Sequence, residues 1–135
     1  MDRSYLLLLL VCCTFGAAAQ VVQEPLEAEI ELREESENLT LTAVFRNNTR
    51  TFVDYEYRFR VERTGPGGTV SSTQQNQFSA GPQQHVELST MTLNRDSADR
   101  YAIVLEIVNR NEKVILLDRM EIGGKKKSVT KKPSG

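Results

Sequence analysis

Few residues in this chain can do chemistry. His85 is its single imidazole, and Cys12 and Cys13 are its two thiols. Both cysteines lie in MDRSYLLLLLVCCTFGAAAQ, where Arg3 precedes an apolar run and Ala17-Ala18-Ala19 offers an A-x-A cleavage site. That pattern predicts a secretory signal over 1–19, too short to span a bilayer as a mature helix. The rival reading is a lipidated Cys12 or Cys13. It lacks the small residue that usually precedes such a cysteine, since Val11 stands before Cys12. With the signal removed no thiol remains, although export leads to a disulfide-permissive compartment.

One histidine without cysteine cannot build the common zinc sites, and a nucleophile with an oriented base would rest on His85 alone. Asp96 and Asp99 lack the full spacing of a calcium loop and read as turn and capping residues. Gly65-Pro66-Gly67-Gly68 is hairpin punctuation rather than a phosphate cradle. Two triplets, Asn38-Leu39-Thr40 and Asn47-Asn48-Thr49, would be glycosylation acceptors in a eukaryotic secreted protein. No catalytic constellation emerges, so the chain is expected not to be an enzyme and to use no cofactor or metal.

Charge excludes a further class. Gln20 to Glu37 carries seven acids and one arginine, Asn38 to Gly124 balances ten against ten, and Lys125 to Gly135 holds five lysines and no acid. The only basic block is a tail without interleaved aromatics, so no nucleic-acid partner is expected. No later apolar run is long enough for a membrane span, and the mature form is expected off the membrane, as a monomer.

The elements that must position any site are strands. Period-2 alternation runs through LEAEIEL, NLTLTAVFR and TFVDYEYRFRVERT. In the last, Val53, Tyr55, Tyr57, Phe59 and Val61 share one face, with Asp54, Glu56, Arg58, Arg60 and Glu62 on the other. A phase change in HVELSTMTLN predicts a bulge near Ser89-Thr90, and YAIVLEIVN and KVILLDRME complete the set. Seven strands from about Leu26 to Ile122 predict an all-β, immunoglobulin-like antiparallel sandwich within a domain over 20–124. Tyr101 is placed to be a corner tyrosine bonded back to the preceding loop. Val53, Tyr55, Phe59, Ile103, Leu105, Ile107 and Leu116 are expected in the core, and 125–135 as a disordered lysine-rich tail.

One strand departs from the pattern. In TVSSTQQNQFSAG, Val70 and Phe78 are the only large apolar residues. Together with its neighbours this stretch carries a likeness. RFRVERTGPGGTVSSTQQNQFSAG followed by VELSTMTLNRDSADRYAIVLEIVNRNEKV resembles the periplasmic curli accessory family CsgC/CsgH. The shared features are a long Arg/Val strand ending in a glycine-rich turn, a Ser/Thr/Gln strand, a Leu-Asn pair opening a loop with Asp, and a final Ile/Val hairpin. The resemblance implies a periplasmic immunoglobulin-like sandwich that keeps the curlin subunit from forming amyloid before secretion. The CsgC branch has a Cys-x-Cys pair near the start of the long strand, where this chain reads Thr51-Phe52-Val53-Asp54. A thiol role is therefore not carried over, and the CsgH-like branch is favoured.

Curlin repeats, as the family is known, are rich in Ser, Gln, Asn and Gly and stack as cross-β ladders. Ser71, Thr73, Gln75 and Gln77 are thus the candidate client-binding residues, by strand pairing if theirs is an edge strand. A polar edge kept simply against aggregation is the plainer alternative. Arg58 and Arg60 form a second candidate surface that would attract a charged unfolded client. A generic secreted adhesion or receptor-type domain, glycosylated at Asn38 and Asn47, stands as the rival function.

Overall fold

The computed structural model of the chain describes residues 24–94 and 98–123, with the backbone of 128–132. The expected signal and Asp96 lie outside these. Every segment expected as a strand forms one: β1 (Leu26–Glu35), β2 (Asn38–Asn47), β3 (Val53–Gly65), β4 (Gly68–Ala80), β5 (His85–Asn94), β6 (Arg100–Val108) and β7 (Val114–Gly123). No helix occurs among the described residues. A short β8 (Ser128–Lys132) follows. All pairings are antiparallel. They build one sheet in the order β1-β2-β5 and another in the order β4-β3-β6-β7-β8. This is the expected immunoglobulin-like sandwich.

Alternation puts one face of each strand into the space between the sheets. Ile30, Leu41 and Phe45 from the small sheet meet Phe59, Ile103, Leu105 and Ile107 from the large one, all sealed from solvent. Each such side chain contributes about 1.5–3 kcal/mol by leaving water. Val53, Tyr55 and Leu116 pack against this cluster at its margin, half-buried. At one end Phe45 meets Phe78 edge-on with ring centroids 4.9 Å apart.

The phase change in β5 is real and sits one residue earlier than expected. Ala43 pairs with Ser89 and Val44 with Glu87, which leaves Leu88 as the extra residue. Tyr101 is the expected corner: its hydroxyl donates to the Asn94 carbonyl at 2.7 Å. Replacing it, Tyr101→Phe, is expected to cost about 1 kcal/mol, since one half-buried carbonyl loses its donor. A urea midpoint unchanged from the parent would contradict that role.

One expectation is corrected. Within 125–135, read as a tail without structure, Ser128–Lys132 pairs with β7 from Arg119 to Gly123. The cause is not local patterning, which the segment lacks. Without β8, β7 would end the hydrogen-bonded order and leave backbone groups unpaired on its outer side, which the following segment takes up.

Candidate functional site

The site begins at the β3–β4 hairpin. Pro66-Gly67 forms a two-residue loop between the paired Gly65 and Gly68. Gly68 has φ +117°, and a Cβ on Gly65 would collide with Oδ1 of Asp99. The backbone angle makes Gly68 a place for glycine, while a side chain at Gly65 would have to displace the Asp99 carboxylate.

So short a loop makes Gly65 and Gly68 a hydrogen-bonded pair, and antiparallel pairing alternates from there. The register from Val53↔Ala80 to Gly65↔Gly68 runs without a shift, so the alternation holds along the whole hairpin. Even-numbered residues of β4 bond inward to β3. The odd-numbered ones, Ser71, Thr73, Gln75 and Gln77 among them, turn their N–H and C=O groups away from it. Two contacts agree. Thr64 and Thr69, a non-bonded pair on this count, bring their hydroxyls to 3.4 Å. The Gln77 N–H, turned away from β3, donates to Oδ1 of Asn76 at 2.9 Å.

No strand lies beyond β4 among the described residues. The anticipated edge is therefore an edge, and its candidate residues are exposed. Their side chains share one face with the arginines. Glu56 pairs with Gln77, Arg58 with Gln75, Arg60 with Thr73 and Glu62 with Ser71. All six anticipated residues, Arg58, Arg60, Ser71, Thr73, Gln75 and Gln77, are thus brought together on the outer face of the large sheet.

The arginines are only loosely held. Arg58 lies 3.9 Å from Glu56 and Arg60 3.7 Å from Glu62, pairs along one strand rather than across strands. With both arginine side chains at least one-third exposed, such contacts are worth at most about 1 kcal/mol. The face is close to neutral.

The other edges carry protection that β4 lacks. On β1, the buried Asp118 of the opposite sheet accepts the Ile30 N–H at 2.8 Å through Oδ2, which places an inward charge on that edge. Glu27, Glu29 and Glu31 alternate along the same strand, gathered by Arg46 of β2 at 3.9, 2.7 and 3.2 Å. The hydrogen bond with Glu29, opposed by partial burial and aided by the charges of Glu29, Glu31 and Glu27, holds the Arg46 guanidinium above its ordinary pKa. The acidic first strand is thus partly neutralised rather than a free anionic surface. The bulge at Leu88 interrupts β5, and β8 covers half of β7. From Gly68 to Ala80, β4 has no charge, no proline and no bulge.

Several anticipated features resolve otherwise. His85 is exposed at the start of β5, in register with Arg46. Asp99 pairs with Arg63 at 3.4 Å. Asn47, offered as a glycosylation acceptor, is fully buried. Its Nδ2 donates to the carbonyls of Thr51, Gly81 and Ala80 at 2.8, 2.9 and 3.2 Å, and its Oδ1 accepts from the Thr49 hydroxyl and N–H at 2.6 and 3.0 Å. An amide so engaged cannot take a sugar in the folded chain, so the rival reading loses one of its two acceptors; Asn38 is exposed.

Sequence reasoning passed over an open cleft of about 610 Å³ beside Gln77. Its walls include Asp54, Glu56, Phe78, Asn109 and Arg110, and Arg110 reaches Asp54 at 3.3 Å. The β6–β7 turn that closes it is assembled by Asn109, whose Oδ1 accepts the N–H groups of Asn111 and Lys113. A short polar turn carries little signal of what it will face.

These features define an immunoglobulin-like sandwich with one long, uncharged, unprotected edge. The family model described as CsgH protein matches residues 27–119. The chain belongs to the CsgH family. Among solved structures it is similar to CsgH of R. palustris in solution, with 26% identity and a TM-score of 0.51 over 67% of this chain and 86% of that one. It is also similar to the E. coli curli protein CsgC, with 16% identity and a TM-score of 0.55 over 66% and 92%. The latter likeness is one of fold. Comparison with curated proteins returns no match.

Proposed function

We propose that this chain acts in curli biogenesis as a non-enzymatic, chaperone-like inhibitor. It works in the periplasm as a monomer and keeps curlin-type subunits from polymerising before secretion. Membership of the CsgH family and the likeness in fold to the curli protein CsgC support the setting. The observation that carries the mode of action is the β4 edge, which has none of the devices that protect β1, β5 and β7. Natural sheets leave such an edge bare at the risk of pairing with another chain. Here that pairing is the activity: a curlin segment in extended form bonds through its main chain to Ser71, Thr73, Gln75 and Gln77.

Such an edge holds each segment briefly, so the effective target is a scarce species, a nucleus or a growing fibre end. Inhibition should then occur far below equimolar amounts. Thioflavin kinetics of purified curlin with this protein at a small fraction of the curlin concentration test this, and a lengthened lag is expected. A lag identical to that of curlin alone, beside a control inhibitor that works, would remove the proposal.

A further inference from the structure

The inner side of β4 bears on which strands its edge accepts. Ser72, Gln74 and Asn76 stand in register with Val61, Phe59 and Tyr57. Those three partners on β3 are buried, with Phe59 at 0% exposure, yet Ser72 and Asn76 are exposed and Gln74 is half-buried. The core therefore ends between β3 and β4 along this stretch. The small sheet has three strands against five, too few to underlie the middle of β4. Cover returns only towards the end of the strand, where Phe78 packs on Phe45 and Ala80 is sealed.

A strand added outside β4 would lie farther still from the opposing sheet, with water on both of its faces along Ser71 to Gln77. We infer that the edge selects partners polar on both faces, such as segments dense in Gln, Asn and Ser, and passes over amphipathic strands. The inference rests on the proposed pairing at β4 and adds its specificity.

The reason is differential burial. An amphipathic strand gains in its own fibre by hiding its apolar face against a second sheet, and loses that on β4, where nothing covers it. A strand polar on both faces gives up no such burial. It meets amides on either side: Gln75 and Gln77 on the outer face, Gln74 and Asn76 on the inner one. Side-by-side amides of this kind form the ladders that stabilise stacked polar strands.

The test uses two fibre-forming peptides of equal length and zero net charge, one of Gln, Asn and Ser throughout, the other alternating Val with Thr. Growth of each is followed by thioflavin fluorescence with the full mature chain at one-twentieth of the peptide concentration. The expected result is a lag lengthened at least threefold for the polar peptide and unchanged for the alternating one. Equal inhibition of both, or preference for the alternating peptide, overturns the inference even if curlin is inhibited. If neither peptide is affected while curlin is, recognition lies in something other than two-sided polarity, and the inference again falls. Failure with curlin as well would instead remove the underlying proposal. As a second measurement, Ser72→Val extends the apolar inner face by one residue and is expected to narrow the difference between the two lags. A difference as wide as the parent's, with the variant's spectrum native, would count against the inner face as the selecting surface.

Discussion

Proline at both Gln75 and Gln77 is expected to abolish inhibition of curlin fibre growth while the domain stays folded, its melting temperature within a few degrees of the parent's. The two residues turn their N–H groups away from β3, so proline there removes donors that a client needs and that the sandwich does not use. Gln77 does give up one local bond, to its neighbour Asn76. Proline at Gln74 and Asn76 is expected to do the reverse. Those residues bond inward, and each loses a ladder hydrogen bond and orphans a β3 carbonyl, at about 2–4 kcal/mol per site. The four positions alternate along four consecutive residues of one strand, so the two variants differ in composition only by one Asn in place of one Gln. Thermal unfolding and thioflavin kinetics on both double variants check the pair of outcomes. Full inhibition by folded Gln75→Pro/Gln77→Pro would place the client elsewhere, with the Arg58 and Arg60 face next to be tested. Unfolding by both double variants would contradict the alternation derived from the two-residue hairpin.

An equally large effect is expected at Asn47, in stability rather than inhibition. Asn47→Asp changes almost no volume, but it points a second oxygen at the carbonyls of Thr51, Ala80 and Gly81. Ionised there, with no counter-charge and no exposure, it should cost about 3–5 kcal/mol, a large share of the roughly 5–15 kcal/mol that holds a domain of this size folded. The sign of the pH dependence follows. Burial and the facing carbonyls disfavour the charged form, so the variant's folded pKa is raised above its unfolded value of about 4. The unfolded variant then binds fewer protons than the folded one, and stability falls as pH rises through that window. Urea unfolding at pH 4 and pH 7 should show the gap between parent and variant widening at the higher pH. A gap that is small and equal at both would show that the amide does not tie the ends of β2 and β4 together. Asn47→Ala should fall between, since it orphans the same carbonyls without adding a charge.

The contrast between these residues shows where sequence reasoning holds. Alternation is a local property: Tyr55, Tyr57, Phe59 and Val61 fall on one face of any strand that contains them, whatever its neighbours. That is why the strand count from Leu26 to Ile122, the faces of β3 and the polar character of β4 were legible in the chain. Tyr101 was legible for a related reason, since its partner Asn94 lies seven residues away across one loop.

What tertiary structure alone decided is which groups meet over long separations and which are left unmet. Nothing near Asn47 in the chain announces that Ala80 and Gly81 will present carbonyls to it, so an Asn-x-Thr triplet reads as a surface acceptor until the fold buries it. Asp118 looks like one more charge in an alternating strand until the sandwich brings it to Ile30, 88 residues earlier. The order β4-β3-β6-β7-β8 left β4 outermost and gave Ser128–Lys132 an edge to join. The unequal widths of the two sheets left Ser72 and Asn76 uncovered. Local side-chain pattern sets which way each residue faces. Whether that face meets protein or water depends on strand order and sheet width, which are set by pairing between distant segments.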